Sequence, residues 1–200
     1  MKITIFDRLI LLITSLLAAY QVAVGIEGVD TLPMIAYTIA FGVLLVAVLL
    51  LIILGLEVLD SPIVVIISTV IPLSLSLGLV WEHLPTWHTF YLTFAILGFL
   101  AIVITRLVQT GKAATIVLAI VHGIAGLIIA VLPIALSVME ITKPGFSLVG
   151  IGGALIGLGG LLLSFLKTGR PVLSGEMMMK VLPGLLFLMT AAFVAGFALK

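Results

Sequence analysis

The sequence is a near-continuous series of apolar runs, each about as long as the roughly 20 residues a helix needs to cross a lipid bilayer. Seven such runs occur, over residues 9–26, 33–56, 62–81, 89–108, 113–138, 147–166 and 181–199. The links between them hold nearly every charge and are short, the longest being KTGRPVLSGEMMMK. They leave room for turns and none for a separate soluble domain. Only 8% of the residues are charged and 64% are hydrophobic, whereas soluble domains carry about 25% charged residues. A chain this apolar cannot cover a water-facing surface with polar groups. The predicted fold is all-α: a single integral membrane domain over residues 1–200, a polytopic bundle of seven transmembrane helices with short loops. The start, MKITIFDRLILLITSLLAAY, resembles a leader in charge and apolarity. No small-residue cleavage pattern precedes a polar chain, so the segment is expected to remain as the first helix.

Charge bias sets the expected orientation. With seven crossings, one side holds Lys2, Arg8, Arg106, Lys112, Lys167, Arg170 and Lys180, and the other only Lys143 and Lys200. Seven cations against two predict a cytoplasmic N-terminus and an outside C-terminus, in a cytoplasmic membrane of the prokaryotic type. If residues 147–166 did not cross, three cations would change sides and the bias would collapse. Trp81 and Trp87 then fall at the outer boundary, with Tyr37, Phe90 and Tyr91 near them, as in an interfacial aromatic belt. A weak repeat accompanies this order. TGK at 110–112 and TGR at 168–170 lie 58 residues apart, and Pro33, Pro85 and Pro144 each precede an inward-running span or open it. One helix followed by three similar hairpins fits the pattern.

In lipid, helices associate through small residues and paired polar groups rather than through hydrophobicity. In the fifth span Thr115, Ala119, His122, Gly126, Ala130, Pro133 and Ser137 recur at helical spacing. The opposite face, Val117, Ile120, Ile124, Leu127, Val131 and Ile134, is bulky. His122 is thus expected on a protein-facing stripe, about 14 Å into the span at 1.5 Å per residue and near the middle of a ~30 Å core. Similar stripes are Ser61, Val65, Ser68, Pro72 and Ser76 in the third span, and Thr14, Ala18, Gln21 and Gly25 in the first. Ala19 with Ala23, and Gly153 with Gly157, make small-xxx-small pairs. Pro72 and Pro133 each free a backbone carbonyl one turn earlier. The expected helix-packing residues are therefore Ala19, Ala23, Pro72, Gly126, Pro133, Gly153 and Gly157.

The chemistry-bearing residues are few. His122 is a structural hydrogen-bonding group or a contact for a cofactor: a lipid, a quinone, or a tetrapyrrole or carotenoid pigment at an interface. A haem held by two histidines would need a second intramembrane histidine. WEHLPTWH, residues 81–88, is the most distinctive link. Trp81, Glu82, His83, Trp87 and His88 are expected to form an outer turn and contact surface. No metal site is expected, because His122 differs in depth from His83 and His88. No catalytic residue is expected either. A retinal protein would need a lysine within the last span, and Lys180 and Lys200 only bracket it. Carboxylates and cations sit at span ends, unlike those of an ion pump. Met177 to Met179 read as the apolar start of the last helix rather than as soft-metal ligands. A net charge of +1 gives no footprint for nucleic acid. The absence of cysteine removes disulfides and thiolate chemistry.

The function expected from this pattern is that of a non-catalytic integral membrane subunit. It would scaffold or stabilise a larger complex, such as an energy-converting or electron-transfer one, with other membrane subunits and the bilayer as partners. The alternative is a small-solute binding or transport protein. Ala19-xxx-Ala23 resembles the docking motif of the vitamin-binding membrane components of energy-coupling transporters, a class that usually has six spans.

Overall fold

The computed structural model describes residues 4–108, 112–167 and 174–200. The TGK and TGR segments, Lys2 and Arg170 lie wholly or partly outside the described residues. So do the side chains of Lys112, Lys167, Met178 and Met179. Among the described residues the secondary structure is entirely helical, with seven α-helices: α1 (Ile5–Val24), α2 (Thr31–Leu54), α3 (Pro62–His83), α4 (His88–Leu107), α5 (Lys112–Val138), α6 (Ser147–Lys167) and α7 (Gly175–Ala198). Short 3-10 turns at Leu56–Asp60, Pro85–Trp87 and Pro144–Phe146 precede α3, α4 and α6.

Local chemistry sets the ends. Thr4 and Asp7 form a capping box, the Asp7 N–H donating to Thr4 Oγ1 at 3.1 Å and the Thr4 N–H to Asp7 Oδ2 at 3.0 Å. The helix therefore starts before the apolar run that marks it in the sequence. Gly25 and Gly55 stop α1 and α2 with φ of 72° and 84°, a region that glycine enters without steric cost. Ser174 accepts from the Met177 N–H at 3.2 Å and starts α7 well ahead of residue 181. The run containing Met177 forms the first turns of that helix. Pro85 and Pro144 open two equivalent 3-10 turns that lead into α4 and α6, whereas Pro33 lies in the first turn of α2.

Among the described residues, six helices are long and apolar enough to cross a membrane by length and composition: α1, α2, α3, α4 with its preceding turn, α5 and α7. The count of seven is thus met by helices but not by spans on that measure. The apolar stretch of α6 over the described side chains, Pro144–Gly160, is shorter. The α6 helix as a whole has 21 residues, about 30 Å at 1.5 Å per residue.

Helices α1, α2, α3, α5, α6 and α7 form a ring, each packed on the next, with α7 closing against α1. The main core lies inside this ring, with Leu11, Phe41, Leu79, Ile129, Val149 and Phe193 from its six members. Helix α4 stands outside, between α3 and α5, over a second apolar cluster of Leu73, Ala95, Ile102, Val121 and Ala125. Bulky side chains cover the outward faces: Leu9, Leu12 and Leu16 on α1, Leu97, Leu100 and Ile104 on α4, and Ile120, Leu127 and Val131 on α5.

Glycine sets the approach of α6 to both neighbours. A Cβ on Gly153 would stand 2.8 Å from the backbone nitrogen of Ala130, and one on Gly150 would overlap Ile134. On the other side Gly152 meets Phe193 and Gly159 meets Leu185, while Gly196 of α7 lies against Val149. Contact numbers on α5 and α7 fall as those on α6 rise, so α6 runs antiparallel to both. It passes from the Pro144 turn toward the opposite end of the bundle.

Candidate functional site

The densest polar and aromatic grouping lies where α3 ends. Gly78 and Glu82 are four residues apart and share a face of α3. Because Gly78 has no side chain, the Tyr37 ring of α2 lies directly over it. That position lets the Tyr37 hydroxyl donate to Glu82 Oε2 at 3.2 Å. The Lys200 ammonium, just beyond α7, pairs with Glu82 Oε1. The two charged side chains are only 13% and 18% exposed, which makes this an enclosed ion pair rather than a surface one. His83 Nε2 stands 3.7 Å from Glu82 Oε2, and its ring packs at 5.5 Å on Phe146. Burial holds the Lys200 ammonium below the ordinary lysine range, an effect that the adjoining carboxylate opposes.

Below the ion pair, Phe197 sits 4.7 Å from Tyr37 and 6.1 Å from Phe146. Phe41 meets Phe193 edge-on at 6.4 Å. Aromatic rings from α2, α7 and the α6 turn thus fill the ring of helices at this end. Trp81 stacks on His88 at 4.2 Å with planes 10° apart, joining α3 to α4. Trp87 and Phe90 pack on each other at 5.6 Å and are exposed. The link expected as an outer turn is therefore a short 3-10 turn between two helix ends. Trp81, Glu82 and His83 close α3, and His88 opens α4. His83 and His88 face different ring partners, and among the described residues no group of three or more His, Cys, Asp or Glu is placed to hold a metal. A crevice lined by Gln21, Gly25, Met34, Tyr37 and Phe41 is too tight to admit a water molecule.

His122 lies on α5, half-buried, with Nδ1 enclosed and without a hydrogen-bond partner. The expected stripe falls partly on the buried face of α5. Gly126 and Pro133 are buried, Thr115, Ala130 and Ser137 are half-buried, and Ala119 is exposed. The other buried residues of α5 are Ala114, Val121, Ala125, Ile129 and Leu136. Close approach needs one small residue per contact, and here the neighbours supply it. Val121 faces Gly98 of α4, and Ile129 faces Gly153 of α6. So α5 contributes the bulky member of these two pairs, while Ala130 of the expected stripe also lies against Gly150 and Gly153.

The other packing residues divide in the same way. Pro72 is buried in α3. Gly153 is a close contact, whereas a Cβ on Gly157 or Gly126 would meet no described neighbour within 4 Å. Ala19 is half-buried and Ala23 exposed, so this pair does not form a packing face within the chain. Helix α1 instead buries Leu11, Thr14, Ser15, Ala18 and Gln21. Thr14 Oγ1 donates to the Ile10 carbonyl at 2.8 Å, and Gln21 Nε2 to that of Gly25 at 2.7 Å. These polar groups satisfy their own helix. Ser76 of α3 is different, accepting from the Tyr91 hydroxyl of α4 at 2.8 Å.

Sequence reasoning placed Glu82 and His83 but missed Tyr37 as a hydrogen-bond donor, Gly78 as its seat, and Lys200 as the counter-ion. A glycine one turn before an acid at a helix end is a signal that could have pointed to the first two. Nothing local signals Lys200. Comparison with family models, curated proteins and solved structures finds no match for this chain.

Proposed function

We propose that the chain is a non-catalytic integral membrane subunit that scaffolds a larger membrane complex. Its seven helices would span a cytoplasmic membrane of the prokaryotic type. The observation that carries this reading is the filled interior. Aromatic rings close one end of the ring of helices, and glycines bring α6 against α5 and α7. A rigid packed body with apolar outer faces suits a structural partner. The direct experiment is gentle isolation from the native membrane, followed by mass spectrometry and an absorption spectrum. A stoichiometric protein partner is expected. A particle of this chain alone overturns the proposal, and saturable solute uptake after reconstitution would favour the alternative.

The proposed orientation places Lys200, the α1–α2 link and the Trp81–His88 link outside, with most cations in the cytoplasm. The chain contains no cysteine, so single cysteines report cleanly. Glu27→Cys should react with an impermeant maleimide in intact cells. Val108→Cys, at an exposed position beyond α4, should react only after permeabilisation. The opposite pattern inverts the orientation.

A further inference from the structure

The ion pair at the end of α3 has a titratable neighbour that its packing leaves unused. His83 follows Glu82 directly, and its side chain is only 10% exposed. Among the described residues its enclosed Nε2 has no hydrogen-bond partner. That nitrogen stands 3.7 Å from Glu82 Oε2, just beyond hydrogen-bond reach. A neutral imidazole with its proton on Nδ1 presents Nε2 as an acceptor, and two facing acceptors do not close. A proton on Nε2 turns the same approach into a charge-assisted hydrogen bond.

The carboxylate it would meet is already engaged. Glu82 Oε1 pairs with the Lys200 ammonium, and Oε2 accepts from the Tyr37 hydroxyl at 3.2 Å. The two basic groups also flank one ring. The His83 imidazole lies 5.5 Å from Phe146 and the Lys200 ammonium 6.0 Å from it. Protonation of His83 therefore puts two cations beside one anion, in a site too enclosed for water to screen them. The imidazole is fixed by the end of α3 and by Phe146. Lys200 lies beyond α7 on a flexible four-carbon stem and is the more exposed of the two, at 18%. It can turn outward to water. The other charged groups of this end, Glu27, Asp30, Glu140 and Lys143, are exposed, and water screens them. His88 of α4 is stacked on Trp81.

We propose that Glu82, His83 and Lys200 form a proton-operated clasp on the end of α7. With His83 neutral, Glu82 holds Lys200 and draws the end of α7 to α3. With His83 protonated, the carboxylate turns to the imidazolium on its own helix, and Lys200 leaves for water. The proton comes from the solution at that end and goes to Nε2, and no other covalent bond changes. Leu199 stays against Gly145, but the charge link from α3 to the end of α7 is released. The clasp does not depend on the membrane reading. Under that reading the outside compartment supplies the proton.

The test places a spin label on Ala198→Cys, an exposed position at the end of α7 in a chain without other cysteines. Spectra of the full chain in detergent are recorded between about pH 8 and pH 5, the range in which imidazole takes up its proton. The label should be immobilised at the alkaline end and move several-fold faster in acid, reversibly. His83→Gln cannot carry the proton, and its label should stay immobilised throughout. His88→Gln should keep the wild-type transition. Lys200→Met removes the held ammonium, so its label should be mobile at both ends of the range. A wild-type label that does not respond to pH overturns the clasp. So does a transition that survives in His83→Gln or disappears in His88→Gln. Should His83→Gln fail to fold, Lys200→Met decides, because a pH transition that persists there places the effect of the proton elsewhere and overturns the clasp.

Discussion

Gly153→Ala should destabilise the protein in detergent while Gly157→Ala does not, although the two glycines form one small-xxx-small pair. At position 153 the new methyl meets the backbone of α5, 2.8 Å from the Ala130 nitrogen. Backbone cannot swing aside as a side-chain tip can, so α5 and α6 must separate. Overpacking of this kind costs about 1–3 kcal/mol. At position 157 a new methyl would meet no described neighbour within 4 Å. There alanine brings only its better helix propensity, worth up to about 1 kcal/mol in favourable cases. The two variants should therefore shift the thermal midpoint in opposite directions. Equal losses at both sites would mean that the α5–α6 interface has another register.

Glu82→Ala should be the most damaging single change at the aromatic end. It leaves the Lys200 ammonium enclosed without its carboxylate and removes the acceptor of the Tyr37 hydroxyl. Removing one partner of a buried ion pair costs about 3–5 kcal/mol. The double variant Glu82→Ala/Lys200→Ala should recover part of that loss, because no unpaired charge remains. Unfolding midpoints of the two single variants and the double variant form a thermodynamic cycle. Strictly additive effects would show that the pair has no coupling and that the geometry at Lys200 is incidental.

The contrast between these two sites shows what sequence could reveal. Helix number and position were legible because apolar length is a local property. The errors at Ile5 and Gly175 came from capping groups, Thr4 with Asp7 and Ser174, which lie outside any apolar count. Face assignment on α5 was legible on the outward side, where Ile120, Ile124, Leu127 and Val131 are exposed. Its inward axis was not, because it depends on Gly98 and Gly153 in other helices. The Gly153–Gly157 pair marked the right segment but could not say which glycine touches a neighbour. Glu82 was placed by its link. Its partners Tyr37 and Lys200 come from α2 and from the end of α7, and no spacing rule connects residues so far apart.

The closure of the ring by α7 also bears on how the protein is made. Helices emerge from synthesis in order, so α1 to α6 are complete before α7 exists. Until then Tyr37 and Phe41 have no Phe197 or Phe193 to meet, α1 has no second flank, and Gly152 opens onto a gap. Contacts between α1 and α7 are among the most distant the chain can form, and such closures come late and are slow. A nascent chain lacking α7 therefore presents an open seam lined by aromatic rings. Docking of α7 is thus the step that buries these rings and completes the core.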